Sequence, residues 1–291
     1  MKRILIVLIS VLLPVLSYGQ AQINTKKVKI GDFTRKITKV VLTGNEFFDI
    51  SLQEEIADRW RVSPYEFCTL EEFQSLKGSH DYYFLLVTNG QFRKESGPSI
   101  QFLTLVKGGK GAEQGIDDML EVVSLPIASA RYPSGREIVF LPAFLDIIQT
   151  YATDSMENDY NAYGGLRNYN KNINRSQDKD IVFSEDDLNK NISDLAKEMY
   201  LDGRTFIVSE AEADEYLQAN EENTLVSYVV APYEPVPGSV CYKMLIDTQN
   251  HRLYYYKKHI IKKDKGAGFL ESDIRHIASF RPTKPEENDK R

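Results

Sequence analysis

One feature constrains the fold of this chain more than any other: shifted by about 140 positions, the sequence lies on itself. Lys39-Val40-Val41-Leu42 falls on Lys179-Asp180-Ile181-Val182. With no gap, Phe48 then falls on Leu188, Leu52 on Ile192, Ile56 on Ala196 and Trp60 on Tyr200. Phe67-Cys68-Thr69 falls on Ile207-Val208-Ser209, and Glu72, Phe73 and Leu76 fall on Glu212, Ala213 and Tyr216. Further along the register slips, and Tyr83-Phe84-Leu85-Leu86-Val87 matches Ser227-Tyr228-Val229-Val230-Ala231. Lys110-Gly111-Ala112 then matches Lys265-Gly266-Ala267, Asp118-Met119 falls on Asp273-Ile274, and Ser124-Leu125 on Ser279-Phe280. Such a chain builds its body from one supersecondary unit used twice.

Periodicity gives the elements of that unit. Val40-Val41-Leu42 is a short apolar run, read as a buried strand. Leu52, Ile56 and Trp60 lie on one face of a helix that Pro64 terminates. Tyr65 to Thr69 reads as a strand, and Thr69 with Glu72 forms a capping box for a helix burying Leu70, Phe73 and Leu76 up to Gly78. Tyr82 to Thr88 is a strand, Asn89-Gly90 a turn and Ile100 to Val106 the next strand. Gly108, Gly109 and Gly111 form a loop, and Ile116 to Val122 reads as a helix.

The second unit follows with a strand at Ile181 to Phe183, a helix at Ile192 to Tyr200 and a strand at Thr205 to Val208. Ser209 caps a helix holding Ala213 and Tyr216. Leu225 to Ala231 is a strand, Val240 to Asp247 and Arg252 to Ile260 form a hairpin, and Ser272 to Ala278 closes as a helix. The expected class is α/β (α+β): two tandem copies of a strand-helix-strand-helix-strand-strand-helix module, at 21–126 and 179–281.

The connecting segment, 127–178, has no counterpart. Arg136 to Leu141 reads as a strand, and Pro142 opens a helix with Phe144, Ile147, Ile148 and Tyr151 on one face. Asp159 to Asn174 is dense in Asn, Tyr, Gly and Arg, which suits an exposed loop or a polar helix. Residues 282–291 read as a disordered, charged tail.

At the other end, Lys2 and Arg3 precede an apolar run from Ile4 to Ser17, and the small residues at Gly19 to Ala21 complete a signal-peptide pattern over 1–20. The run is shorter than the ~20 residues of a spanning helix, and no cysteine follows it to carry lipid. The expected product is periplasmic or secreted, with no integral membrane span after cleavage. With 36 basic and 42 acidic residues the charge is −6; losing Lys2 and Arg3 leaves 34 against 42, or −8. An acidic protein repels nucleic acid, so no nucleic-acid partner is expected. The cluster Lys257, Lys258, Lys262, Lys263, Lys265 reads as a solvated strand end. Cys68 and Cys241 read as isolated core cysteines rather than a pair.

The phrase Tyr65-Glu66-Phe67-Cys68-Thr69-Leu70-Glu71-Glu72-Phe73, followed by Asp81-Tyr82-Tyr83-Phe84-Leu85, resembles a bacterial envelope module. It is similar to the α/β domain of the TolB N-terminal, curli-transport CsgG and LpoB-type lipoproteins, over about 39–107 and again over 179–260. The resemblance implies work through protein–protein contacts in the envelope and carries over no catalytic residue. Asp154-Ser155-Met156 resembles the tripeptide used for O-glycosylation in Bacteroidetes.

Chemical motifs are sparse. Lys107-Gly108-Gly109-Lys110-Gly111 fails as a phosphate loop, because Thr104 stands where the first Gly belongs and Gly111 where a Ser or Thr belongs. His80, His251, His259 and His276 have no Ser or Cys nucleophile nearby in sequence. Asp117-Asp118 and Glu210-Ala211-Glu212 read as acids at helix starts rather than a glycosidase pair. No catalytic, cofactor-binding or metal-binding residue is assigned. The candidate partner-binding residues are Tyr160, Tyr163, Arg167 and Tyr169, since Tyr and Arg supply rigid contact area and planar donors. The leading expectation is a non-enzymatic envelope protein acting as a protein–protein interaction or assembly scaffold. The alternative is a hydrolase of an envelope glycan or peptide, with its site between the two modules.

Overall fold

In the computed structural model, which describes residues 29–281 except 93, 94, 110 and 202, the chain forms two five-stranded mixed sheets with helices against them. The expected signal peptide and the tail at 282–291 lie outside the described residues. Sheet one holds β1 (Ile37–Val41), β2 (Tyr65–Cys68), β3 (Tyr82–Gly90), β4 (Ile100–Lys107) and β5 (Leu120–Ser129), in the order β2-β1-β3-β4-β5. Sheet two holds β6 (Asp180–Ser184), β7 (Thr205–Val208), β8 (Thr224–Val230), β9 (Val240–Asp247) and β10 (Leu253–Ile260). Its order, read from β7, is β7-β6-β8-β9-β10, which is the order of sheet one. The sense also agrees: the first three strands of each sheet are parallel and the last two pairings antiparallel.

The helices are α1 (Glu46–Arg59), α2 (Leu70–Leu76), α3 (Arg136–Val139), α4 (Leu141–Glu157), α5 (Asp159–Gly164), α6 (Asp194–Tyr200), α7 (Glu210–Gln218) and α8 (Glu271–Ala278). The capping box expected at Thr69 forms with Glu72 on α2, and Ser209, expected as a cap, forms a second box with Glu212 on α7. Each satisfies two orphan backbone groups of a short helix. Thr69→Ala is therefore expected to cost about 1 kcal/mol of stability, read as a lower urea midpoint, and Ser209→Ala a similar amount.

Several sequence expectations are corrected. The first strands pair in registers that end on Val41–Cys68 and Ser184–Val208, so β1 maps to β6 with a shift of three residues beyond the 140 that relates β2 to β7. The match of 110–112 with 265–267 joins unlike places, one after β4 and the other after β10, and Ser124-Leu125 lies in a strand while Ser279 caps a helix. The helix expected at Ile116 to Val122 is a 3-10 turn (Ile116–Asp118) leading into β5. Each sheet thus ends on a fifth strand, and only the second adds a closing helix, α8. β3 runs through Asn89-Gly90, where a turn was expected, with Gly90 opposite Ile100. Arg136 to Leu141 is helical, because Gly135 turns the chain at φ +95° and Arg136 and Glu137 are drawn into buried ion pairs and caps. Leu70 points outward, leaving Phe73 to anchor α2.

One core joins the two sheets. Val40, Tyr83, Leu85, Leu103 and Leu105 of sheet one share it with Val182, Val226, Tyr228, Tyr242 and Met244 of sheet two. Helix α4 lies between them, burying Phe144, Ile147, Ile148 and Tyr151 as its spacing requires, with Pro142 in its first turn. Smaller clusters cover the far faces, with α2 on sheet one and α6 and α8 on sheet two. Opposite faces meet in the shared core. The helix after the first strand lies on the core side in the first half (α1) and on the far side in the second (α6). Cys68 and Cys241 are buried free thiols in different sheets, and burial pushes both up to about 11. Ser155, in the O-glycosylation tripeptide, is fully buried in α4 and out of reach of a transferase.

Candidate functional site

The Asn- and Tyr-rich stretch builds the most distinctive surface of the molecule. Asn158 caps α5, its side chain accepting from the Tyr160 N–H at 2.8 Å. Gly165, at φ +64° and ψ −169°, ends that helix in a conformation open essentially only to glycine. A 3-10 segment (Gly165–Arg175) follows and sinks Leu166 and Ile173. Its asparagines then complete an exposed sheet edge. The Asn170 amide donates to Tyr256 O at 2.9 Å and accepts from Tyr256 N at 2.6 Å, while Asn172 donates to Leu253 O at 2.8 Å. β10 is an outer strand of sheet two, so side-chain amides here stand in for a neighbouring strand. The expected exposed loop or polar helix is therefore a helical turn fixed to β10.

This docking places Tyr163 and Arg167 on the wall of a cleft of ≈ 670 Å³. Its second wall is the far face of sheet one, where Thr88, Thr104 and Ser124 form a hydroxyl ladder with O···O distances of 2.9 and 3.1 Å. Its floor is aromatic: Phe102 meets Tyr242 edge-on at 5.7 Å, and Tyr256 lies beside Tyr242. Burial, with a smaller contribution from the Glu121 charge, pushes Tyr242 up to about 12, so the phenol stays neutral. The exposed rim carries both signs, Asp117 and Glu121 against Arg167 and Lys258. Such a surface offers flat apolar area, neutral hydroxyls and charges of either sign.

A second cavity, of ≈ 260 Å³, opens between α4, the 3-10 segment and the β9–β10 turn. His251 lies on it, in a left-handed conformation (φ +52°) and nearly fully buried. Its Nδ1 is 2.7 Å from Asp146 Oδ2, which also receives Arg59 Nη1 at 3.3 Å. A carboxylate on Nδ1 fixes the ring and its tautomer and leaves Nε2 as the reactive edge. The cavity is lined by no serine or cysteine. Tyr169 donates to Asp154 Oδ2 at 2.8 Å on its wall, and burial together with the Asp154 carboxylate pushes that phenol well up.

Two buried charge clusters serve packing instead. Arg136 reaches Asp214 at 2.8 Å, Asp187 at 3.3 Å and Ser227 O at 3.3 Å, and lies over the Phe140 and Tyr228 rings. Burial pushes Asp187 up, and the Arg136 charge and the Ser227 hydroxyl pull it back. On the far face of sheet two, Asp273 binds Lys243, Lys257 and Tyr255, and accepts from Leu270 N at 2.9 Å. Glu212 is spent on its capping box and Glu210 faces Arg136, so that carboxylate pair serves a helix start.

Of the four residues singled out by composition, Tyr163 and Arg167 line the central cleft, Tyr169 faces the His251 cavity, and Tyr160 lines neither. The cleft's other walls, and the His251–Asp146 pair, went unrecognised in the sequence, because the cleft draws on residues from Thr88 to Lys258 and the pair lies 105 residues apart, with no shared spacing. Among the described residues no group of three or more His, Cys, Asp or Glu is arranged to hold a metal ion. No protein-family profile matches the chain, and neither does any curated protein or solved structure.

Proposed function

We propose that this chain is an exported, non-catalytic binding protein that holds an extended segment of another envelope protein in the cleft where the far face of sheet one meets β9, β10 and the linking segment. The observation that carries the reading is the cleft itself, to which both sheets and the linking segment contribute and in which Tyr163 and Arg167 face Phe102, Tyr242 and Tyr256. Rigid aromatic rings give contact area at low entropic cost, and a planar guanidinium adds directional donors. Strand edges and side-chain hydroxyls of a peptide can exchange hydrogen bonds with the Thr88–Thr104–Ser124 ladder. We read the shared strand order as two copies of one unit, which the intervening segment turns into a cleft. Among the described residues no helix is long and apolar enough to cross a membrane.

The test is recovery of a stoichiometric partner from intact envelope. Tyr163→Ala with Arg167→Ala is expected to weaken capture by about tenfold or more at an unchanged melting temperature, since both side chains are exposed. Unaltered capture by that variant, or no partner together with cleavage of peptidoglycan or polysaccharide by the purified protein, overturns the reading. The hydrolase alternative has one observation in its favour, the carboxylate-oriented His251, and that pair lies in the smaller cavity outside the central cleft.

A further inference from the structure

We infer that the smaller cavity is a binding site for a phosphate group carried by a small molecule. Its wall brings together Lys171, Arg175 and Arg252 against one carboxylate, Asp154, and that carboxylate is held by the Tyr169 hydroxyl at 2.8 Å. None of the three cations forms an ion pair among the described residues. In a chain where acids outnumber bases by 42 to 36, three unmatched cations on one small concavity leave a local excess of positive charge. Such an excess attracts an anion, and more strongly one of two charges than one.

His251 supplies an independent indication. It is only 4% exposed, yet its Nε2 has no partner among the described residues, while Nδ1 is fixed on Asp146. An imidazole edge that makes no bond to the described residues is free to bond an oxygen brought into the cavity. With the Nδ1 hydrogen on Asp146, a neutral ring presents Nε2 as an acceptor, which the P–OH of a phosphate monoanion satisfies. Asp146, shared with Arg59, holds the ring in place without entering the cavity lining. The volume, ≈ 260 Å³, sits just below the ~300 Å³ at which small-molecule sites begin. That suits free phosphate or a phosphomonoester with a few carbons.

The experiment is calorimetric titration of the purified chain with inorganic phosphate and with glycerol 3-phosphate, in 0.15 M sodium chloride so that loose surface attraction is screened. Saturable binding of either ligand at one site is expected. The two titrations separate the sources: a tighter glycerol 3-phosphate points to a phosphorylated metabolite or headgroup, and equal affinities point to free phosphate. Arg175→Gln with Arg252→Gln is expected to weaken binding about tenfold or more. Both side chains are exposed, so the variant retains the wild-type melt. Arg131→Gln, an exposed cation paired with Glu234 away from the cavity, is expected to leave binding unchanged. Absence of saturable binding, or equal weakening by the Arg131 variant, overturns the assignment. Because this cavity is separate from the central cleft, its failure leaves the partner-capture result unaffected.

Discussion

Replacing Asp273 with asparagine is expected to remove about 3–5 kcal/mol of stability, because the Lys243 ammonium is then left buried without its counter-ion. Neither side chain of that pair is exposed at all. Lys243 sits in the middle of β9, where the alternation of the strand sends it to the far face, and α8 closes over it. Asp273 is the residue of α8 that makes this tolerable. One of its oxygens takes Lys243 and the Leu270 N–H at the start of the helix, and the other takes Lys257 and the Tyr255 hydroxyl, each at 2.8 Å. A single carboxylate therefore ties α8 to two strands. Asparagine keeps the shape but removes the charge, and its amide hydrogens oppose the donors around it. In a chain of this size the loss corresponds to a fall in melting temperature of about 2–4 °C per kcal/mol. Lys243→Met with Asp273→Leu is expected to recover most of it, since an apolar pair of similar volume removes both desolvation costs.

The same substitution has a signature in pH. Burial pushes Asp273 up, but Lys243, Lys257 and the Leu270 N–H pull it down further, and the net result lies well below the ordinary carboxylate range. Below the ordinary value of 3.8 the unfolded chain binds a proton there that the folded chain refuses. The stabilisation is thus complete above that value and is lost as pH falls toward the folded one. Urea midpoints followed from pH 7 to pH 3 should fall less steeply for the asparagine variant than for the wild type. Parallel slopes, or a cost under 1 kcal/mol at pH 7, would show that the cluster contributes little.

How much of this was legible in the sequence depends on the range of each interaction. The caps at Thr69 and Ser209 were legible because cap and partner lie three residues apart and the chemistry is local. The buried face of α4 was legible because Phe144, Ile147, Ile148 and Tyr151 share one helical period. β5 was missed for a physical reason. Its pairing with β4 shifts register twice, between Gln101 and Phe102 and between Leu105 and Val106, so Val122 and Val123 are both buried and the two-residue period is broken. A doubled apolar pair then imitates a helix face. The three-residue shift between β1 and β6 was hidden similarly, since two short apolar strands align about equally well in several registers. The cleft was half legible: composition pointed at Tyr163 and Arg167, while Phe102, Tyr242 and Tyr256 reach them only through the sheets.

Arg136 is the clearest case of a residue whose meaning exists only in three dimensions, and its removal is the second large effect expected. Read locally, Arg136 to Leu141 is an apolar run behind two opposite charges, Arg136 and Glu137. In the fold its guanidinium is buried against Asp187, 51 residues away, and Asp214, 78 residues away, with Phe140 and Tyr228 on its flat faces. Asp187 lies just beyond β6 and Asp214 on α7, so one side chain from the connecting segment ties down two elements of the second sheet's unit. Arg136→Met keeps much of the volume and the contact with the rings, but leaves Asp187 buried and unpaired. The expected cost is about 3–5 kcal/mol at pH 7, measured by urea unfolding. Adding Asp187→Asn should recover part of that cost, and the double-mutant cycle isolates the pair from the packing of the methylene stem. The pH response runs opposite to that of Asp273. Burial already holds Asp187 above the ordinary 3.8, and losing Arg136 removes the charge that pulls it back. The folded variant then takes up a proton more readily than its unfolded chain, so its deficit should narrow as pH falls from 7 toward 3.8. A deficit that stays constant over that range would mean that the loss of Arg136 acts through packing alone.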